Sequence, residues 1–377
     1  MLTRGQRIKH YADMWGQLSG QLIDAGHQWH AVLNIDRDRP HFGRLLLFAI
    51  EEPTHWRHMT LRNLSVANSG FTATTEFSPY PFDLPFDKQH QRESTDIFGG
   101  TMTGNVSANE LRATLKTLGG PSGTNGEIVI GCVETDAPSQ SDYSFTWPEF
   151  KEWVSSLTLS DCPLIFRGHE RAAYRLKTSL HRTGRRDLIR YREEDLPCLA
   201  GYVCGVNGRT YRLNDFHDYN NLLSLGQHHG YPTPLLDWTE SPYIAAFFAL
   251  RDSTSNHDEK CRVYAFDIEC FQKDIGASEG ALEIPHLSLY AHRAASRDHG
   301  RALPQQSVFM LSNVVEIELF VAEAEQNTGN RYLTKIDLPK SNTKVALAEL
   351  RSMGITEASM FPGLDGICRE MRQLSFQ

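Results

Sequence analysis

The 377-residue sequence has little cysteine, no long apolar run and no excess of positive charge. Its seven cysteines are scattered and odd in number, and no C-x-x-C occurs. A disulfide framework and a structural zinc site are therefore disfavoured, and buried free thiols are expected for most of them. No stretch approaches the run of about 20 apolar residues that a membrane helix needs, so no membrane partner is expected. The opening MLTRGQRIKHYADMWGQL lacks the apolar core of a secretory signal, which makes a reducing cytoplasm the expected setting. A net charge of -8 gives no support to a broadly basic surface for nucleic acid or anionic lipid, although a local basic patch can sit inside an acidic whole. Also missing are G-x-S-x-G, H-E-x-x-H, a P-loop and G-x-G-x-x-G. Their absence weakens hydrolase, zinc-protease, NTPase and Rossmann readings.

What is present divides into two textures, and the length itself suggests two domains. Residues 5–18 have helical spacing. Beyond them, short runs of β-formers recur at 30–35, 43–48, 70–75 and 127–131, punctuated by Gly, Asn, Asp and Pro. That spacing predicts an antiparallel sheet closed into a small barrel or sandwich over residues 1–138. Residues 108–118 fit a strand or a short helix between glycine-rich loops at 99–100 and 119–123. A polar linker is placed at 139–144, and an α+β domain at 145–377.

In the second texture, residues 147–157 read as an amphipathic helix and 163–166 as an apolar strand leading into Arg167-Gly168. Residues 185–200, 220–229, 241–250 and 342–353 read as helices, the second and last stopped by Gly230 and Gly354. Residues 235–239, 261–268, 307–311 and 315–321 read as strands.

Three clusters carry the chemistry. In the first, Leu164 to Glu170, an arginine at the end of an apolar strand is followed by a glycine that lets a ligand near the backbone. A guanidinium there suits phosphate oxygens, or it pairs with a structural carboxylate. The second cluster runs from Leu225 to Pro242. Asp237, Thr239 and Ser241 alternate along it and would share one face of a strand, holding a ribose or an amide. Thr239 or Ser241 could instead cap the next helix. His228 and His229 are adjacent on one element and should point apart, so no metal site is assigned to them. The third cluster, Arg301 to Phe309, brings Gln305 and Gln306 into a β-like run, either as cleft residues or as a polar strand edge.

Taken together these clusters resemble the FRG family: Ile165-Phe-Arg167-Gly168, then Tyr174, Leu176, Ser179 and Leu180, then Gln227-His228-x-Gly230-x-Pro232-Thr233 and Leu-Leu-Asp237-Trp238-Thr239, then an Arg-x3-Gln-Gln element and Phe361-Pro-Gly-Leu-Asp365-Gly366. The likeness extends over about 147–377, and residues 15–45 look like the β-rich domain that often precedes FRG modules. The resemblance implies an ADP-ribosyltransferase-like fold, whose split sheet grips NAD. Carried over, Arg167 would be the anchor, Thr239 or Ser241 the second-motif group, and Gln305 or Gln306 the third. Gly168, Gln227, His228, Asp237 and Trp238 would contact the dinucleotide. Two positions depart from the family's pattern: Pro234 stands for its arginine, and Ser307 for its glycine.

The implied function is transfer of ADP-ribose from NAD to a protein or nucleic-acid acceptor, or to water, with no metal. A toxin or phage-defence effector would suit such chemistry. The competing expectation is a degenerate site that binds a nucleotide or a partner without turnover, because no glutamate is evident to stabilise an oxocarbenium-like transition state. Glu170 and Glu240 lie nearest the motifs.

Overall fold

The computed structural model describes residues 14–24, 27–50, 56–67, 69–77, 99–107, 110–117, 125–132, 134–135, 137–157, 164–251, 259–276, 287–293 and 303–376. Eight antiparallel strands open the chain: β1 (Gly16–Asp24), β2 (His27–Ile35), β3 (Gly43–Ala49), β4 (Trp56–Ala67), β5 (Gly70–Phe77), β6 (Gly99–Val106), β7 (Glu110–Thr117) and β8 (Asn125–Cys132). Each pairs with the next, and β1 returns to β8, so the sheet is a closed barrel. Period-two alternation drives this closure. In β7, Leu111, Ala113 and Leu115 are buried in the interior while Arg112 and Lys116 face outward. Aliphatic, methionine and aromatic side chains from all eight strands fill the interior, so it is a packed core. The strands coil tightly enough that side chains are excluded at points of closest approach. A Cβ on Gly20 would sit 2.1 Å from the Val129 carbonyl oxygen, and one on Gly104 2.1 Å from that of Arg112.

Several sequence expectations change here. Residues 99–100, read as a loop, belong to β6, and 108–118 contribute strand β7. Of the helix expected at 5–18, residues up to 13 lie outside the described residues, and Gly16, Gln17 and Leu18 already form β1. Strands β1, β4 and β6 had no separate signal in the sequence.

The second domain is a mixed sheet with helices on both faces. Its elements are β9 (Tyr143–Ser144), α1 (Trp147–Leu157), β10 (Ile165–His169), α2 (Ser179–Thr183), α3 (Leu188–Arg190), α4 (Leu196–Asn207), α5 (Phe216–His228), β11 (Leu235–Thr239), α6 (Pro242–Leu250), β12 (Lys260–Phe266), α7 (Ile268–Ile275), β13 (Leu289–Arg293), β14 (Ser307–Ser312), α8 (Ile317–Thr328), β15 (Leu333–Pro339), α9 (Thr343–Ser352), α10 (Glu357–Met360) and α11 (Leu364–Phe376). A π-helical segment, Tyr191–Asp195, joins α3 to α4. The strand order is β13-β14-β11-β10-β12-β15-β9. Strand β9, inside the segment read as a linker, lies parallel to β15 at one edge.

The join at the middle of this sheet positions the site. Strand β10 makes five residue pairs with β12 but meets β11 at one, Phe166 with Thr239. The two halves of the sheet diverge from that pair. Behind it, α6 lies on β10 almost backbone to backbone: a Cβ on Gly168 would be 1.9 Å from the Ala245 carbonyl oxygen.

Two expectations are corrected in this domain. The run at 315–321, read as a strand, is the start of α8. Its apolar residues fit either period, but Ile317, Val321 and Ala324 are buried at helical spacing and the element continues to Thr328. The strand expected to reach Ile268 stops at Phe266, because the Asp267 side chain accepts the Cys270 N–H and starts α7.

The barrel is fastened to the second domain through its outer face. Val32 and Asn34 point away from the barrel core yet are buried. The Gln17 side chain, 1% exposed, donates to the Asn313 carbonyl at 3.0 Å and accepts the Val315 N–H at 3.1 Å. Asp36, just past β2, accepts the N–H groups of Arg186 and Asp187 and the guanidiniums of Arg185 and Arg190. Arg186 in turn makes a bidentate pair with Glu134. Among the described cysteines only Cys261 is buried; Cys198 and Cys368 are exposed. No described helix is long and apolar enough to cross a membrane.

Candidate functional site

The divergence of the two half-sheets leaves a cleft of about 570 Å³, floored by β10 and β11 and walled by α2, α5, α6 and the segment around Gln305 and Phe361. That size falls in the usual range for small-molecule sites.

Arg167 sits at the centre. Its Nη1 donates to the main-chain oxygen of Asp237, across the junction of the half-sheets, and its Nε donates to His169 Nε2 at 3.1 Å. Since Arg167 can only donate, His169 Nε2 must accept, and the ring proton belongs on Nδ1. Nδ1–H then donates to the Tyr174 carbonyl at 3.2 Å. Burial, reinforced by the neighbouring Arg167 charge, pulls the His169 pKa down to about 3, so the ring is neutral at physiological pH. Burial also lowers the Arg167 pKa, and the Asp237 charge opposes that shift. Two of the five guanidinium N–H groups are used in these bonds, and the rest have no hydrogen-bond partner among the described residues.

Beside it, Asp237 presents an exposed carboxylate to the cleft. Gln227, on the last turn of α5, donates from Nε2 to Asp237 Oδ1 at 2.5 Å. The Gln227 Oε1 accepts the hydroxyl of fully buried Thr233. That second bond fixes the amide with its NH2 toward the carboxylate. The other charges lining the cleft are Glu170, Arg182 on α2, and Arg251. Arg251 pairs with buried Glu357 at 3.2 Å and lies over the Phe361 ring, which meets Phe248 edge-on. The cleft thus has an aromatic end at Phe248 and Phe361 and a polar centre at Arg167 and Asp237.

Of the residues expected to contact a dinucleotide, Arg167, Gly168, Gln227, His228, Asp237 and Trp238 all line this cleft, as do Thr239 and Gln305. Two of the predicted residues are not among the lining residues. Ser241 lies past the end of β11, so strand alternation no longer applies to it; its hydroxyl accepts the Ile244 N–H at 3.3 Å and caps α6. Gln306 is exposed, on a turn with φ of 46° that directs it away, while Gln305 faces the cleft. Thr239 and Gln305 are tied into the frame: the Thr239 hydroxyl donates to the Gln305 carbonyl, and the Gln305 amide donates to the Met360 carbonyl, both at 2.7 Å. Glu240 is exposed and is not a lining residue. The rings of His228 and His229 do not diverge as expected but meet edge to face at 5.1 Å, because His229 lies beyond the last helical residue. No group of three or more His, Cys, Asp and Glu with metal-binding geometry occurs among the described residues.

Sequence reasoning passed over His169, Arg182, Phe248, Arg251 and Phe361 as site residues. His169 stood within the first cluster, two residues along the strand from Arg167 and so on its face. The others come from helices and a distant turn whose approach only the fold specifies.

Comparison with known proteins returned no match among curated proteins and none among solved structures. A family model does match. It covers residues 163–258, hence the first two clusters, and stops before Gln305 and Phe361. From Arg167 on β10 to Asp237 on β11 the cleft's floor falls inside that stretch, and the chain carries an FRG domain.

Proposed function

We propose that the cleft binds NAD and breaks its nicotinamide–ribose bond, handing ADP-ribose to a protein or nucleic-acid acceptor or to water. The observation that carries this reading is the placing of the Arg167 guanidinium, bonded to the Asp237 main-chain oxygen, and the Asp237 carboxylate in one cleft at the junction of the half-sheets. Breaking the bond sends its electron pair to the nicotinamide ring nitrogen, which loses its positive charge, and builds positive charge on the ribose carbon. A fixed carboxylate beside that carbon stabilises the charge as it develops. Asp237 supplies such a group, held by Gln227 through Thr233. It fills the part for which the sequence offered no clear glutamate. The acceptor oxygen then bonds the ribose carbon and its proton passes to solvent. Arg167 holds ligand oxygens on the other side, and the aromatic end at Phe248 and Phe361 suits a planar ring. Consumption of NAD by such a site would fit a toxin or phage-defence effector.

Binding without turnover is the second reading. It is favoured by the use of Ser241, Thr239 and Gln305 in structural hydrogen bonds, which leaves fewer polar side chains to act on a substrate. Nicotinamide release from NAD, measured on wild type, Arg167→Ala and Asp237→Asn with a cell lysate supplying acceptors, tests both. Under the first reading wild type releases nicotinamide and Asp237→Asn loses about a hundredfold or more, the scale seen when a transition-state electrostatic group is removed. Calorimetric binding of NAD by a folded protein that never releases nicotinamide would select the second.

A further inference from the structure

Arg182 projects from α2 into the cleft, and its guanidinium has no hydrogen-bond or ion-pair partner among the described residues. Among the described residues the other arginines that line the cleft are engaged: Arg167 with His169 and the Asp237 main chain, Arg251 with Glu357. Glu170 and Asp237 are the cleft's carboxylates, and the Asp237 oxygen Oδ1 is held by Gln227. Arg182 and Arg167 are close enough that the charge of the first disfavours protonation of both Arg167 and His169. Two like charges held near one another in a concave site repel, and an anion between them offsets that repulsion.

The helix that carries Arg182 is short, five residues, and would not hold its place alone. Its far side is clamped by the barrel. The Gly184 carbonyl at its end accepts the Arg37 N–H at 3.1 Å, and a Cβ on Gly184 would lie 2.7 Å from the Arg37 Cβ. Immediately after it, Arg186 is locked to Glu134 and to Asp36. An exposed arginine is usually on a mobile support. Here the support is fixed from behind while the side chain is left unpaired in front.

We infer that Arg182 and Arg167 form a subsite for a diphosphate, with the Arg182 half delivered by a helix that the barrel holds against the cleft. The inference rests on reading the cleft as a nucleotide site. It makes the barrel a structural part of that site, because the segment after α2 takes its position from Asp36 and Glu134. A guanidinium matches the geometry of phosphate oxygens, and charge-assisted bonds of this kind are the strong ones.

Calorimetry on the full chain with ADP, adenosine and NAD as probes tests it, on wild type, Arg182→Ala and Arg182→Lys, with melting temperatures recorded in parallel. Wild type should bind ADP more tightly than adenosine. Arg182→Ala should lose about tenfold to a hundredfold in ADP affinity, with adenosine affinity and melting temperature unchanged. Arg182→Lys should fall between, keeping the charge without the fork. Equal ADP affinity in wild type and Arg182→Ala, in a protein that binds NAD, would overturn the subsite alone. Loss of adenosine and ADP binding together in Arg182→Ala would overturn it too, since the residue would then act on the nucleoside side. Wild type that binds none of the three probes would overturn both the subsite and the nucleotide reading of the cleft.

Discussion

Arg167 is held by two groups that leave its charge intact: a carbonyl oxygen and a histidine that stays neutral. A carboxylate in either place would orient the guanidinium equally well but would cancel the charge that a ligand needs. The neutrality of His169 is thus part of the arrangement, and it has a pH signature. Its folded pKa, about 3, lies below the ordinary histidine value of 6.5. His181, also buried, has both ring nitrogens without a hydrogen-bond partner among the described residues, and burial with the Arg186 and Lys177 charges pushes it well below 6.5 as well. A group whose folded pKa is depressed favours the folded state above its unfolded pKa. As pH falls below about 6.5 the unfolded chain takes up the protons first, and stability drops by up to about 1.4 kcal/mol per pH unit for each such group. Urea denaturation at pH 7.5 and 5.5 should therefore show a lower midpoint at the acid value, and His181→Leu should reduce the difference. Identical midpoints in wild type would mean that neither ring is held neutral by the fold.

Among the elements, the contact of β10 with α6 decides how close the cleft's floor lies to its back wall. Gly168 is required there, because a methyl group would meet the backbone at Ala245 and at Ala249, neither of which moves without displacing the helix. Gly168→Ala should destabilise the domain by about 2–3 kcal/mol and lower the melting temperature by several degrees. A variant that melts like wild type would show that α6 shifts freely. The same contact illustrates what was legible in the sequence. The Arg167-Gly168 motif, Gln227, Asp237 and the helix stops at Gly230 and Gly354 could be read because turn chemistry and motif spacing are local, although β10 runs on to His169, so that Arg167 lies inside the strand and not at the end expected for a strand over 163–166. The start of α8 could not, since the run Val315 to Val321 satisfies both strand and helix periods until its continuation is weighed. Ser241 was misplaced for a related reason: alternation places side chains only while a strand lasts, and β11 ends at Thr239. Arg182 and Phe361 were invisible as partners of Arg167 because only tertiary packing brings α2 and the turn after α10 to the cleft.

For the whole molecule the question is whether the barrel and the second domain are two independent units. The polar interface answers in energetic terms. Asp36, 2% exposed, satisfies two main-chain N–H groups and two guanidiniums of the other domain. Glu134 and Arg186 add a bidentate pair, and Gln17 a main-chain clasp at Asn313 and Val315. Groups this deeply buried cannot separate without leaving charges and N–H groups unpaired, and breaking one such pair costs about 3–5 kcal/mol. Neither domain can then unfold at a temperature where the other stays intact and docked. Scanning calorimetry of the full chain should show one cooperative transition. Asp36→Ala, which removes the acceptor of the Arg186 and Asp187 N–H groups and the buried carboxylate shared by Arg185 and Arg190, should uncouple the domains and split the transition in two. Because α2 takes its position from this interface, the same substitution should also weaken binding of ADP. Two transitions already present in wild type would mean that the barrel is only tethered, and that Arg182 is not held in place by it.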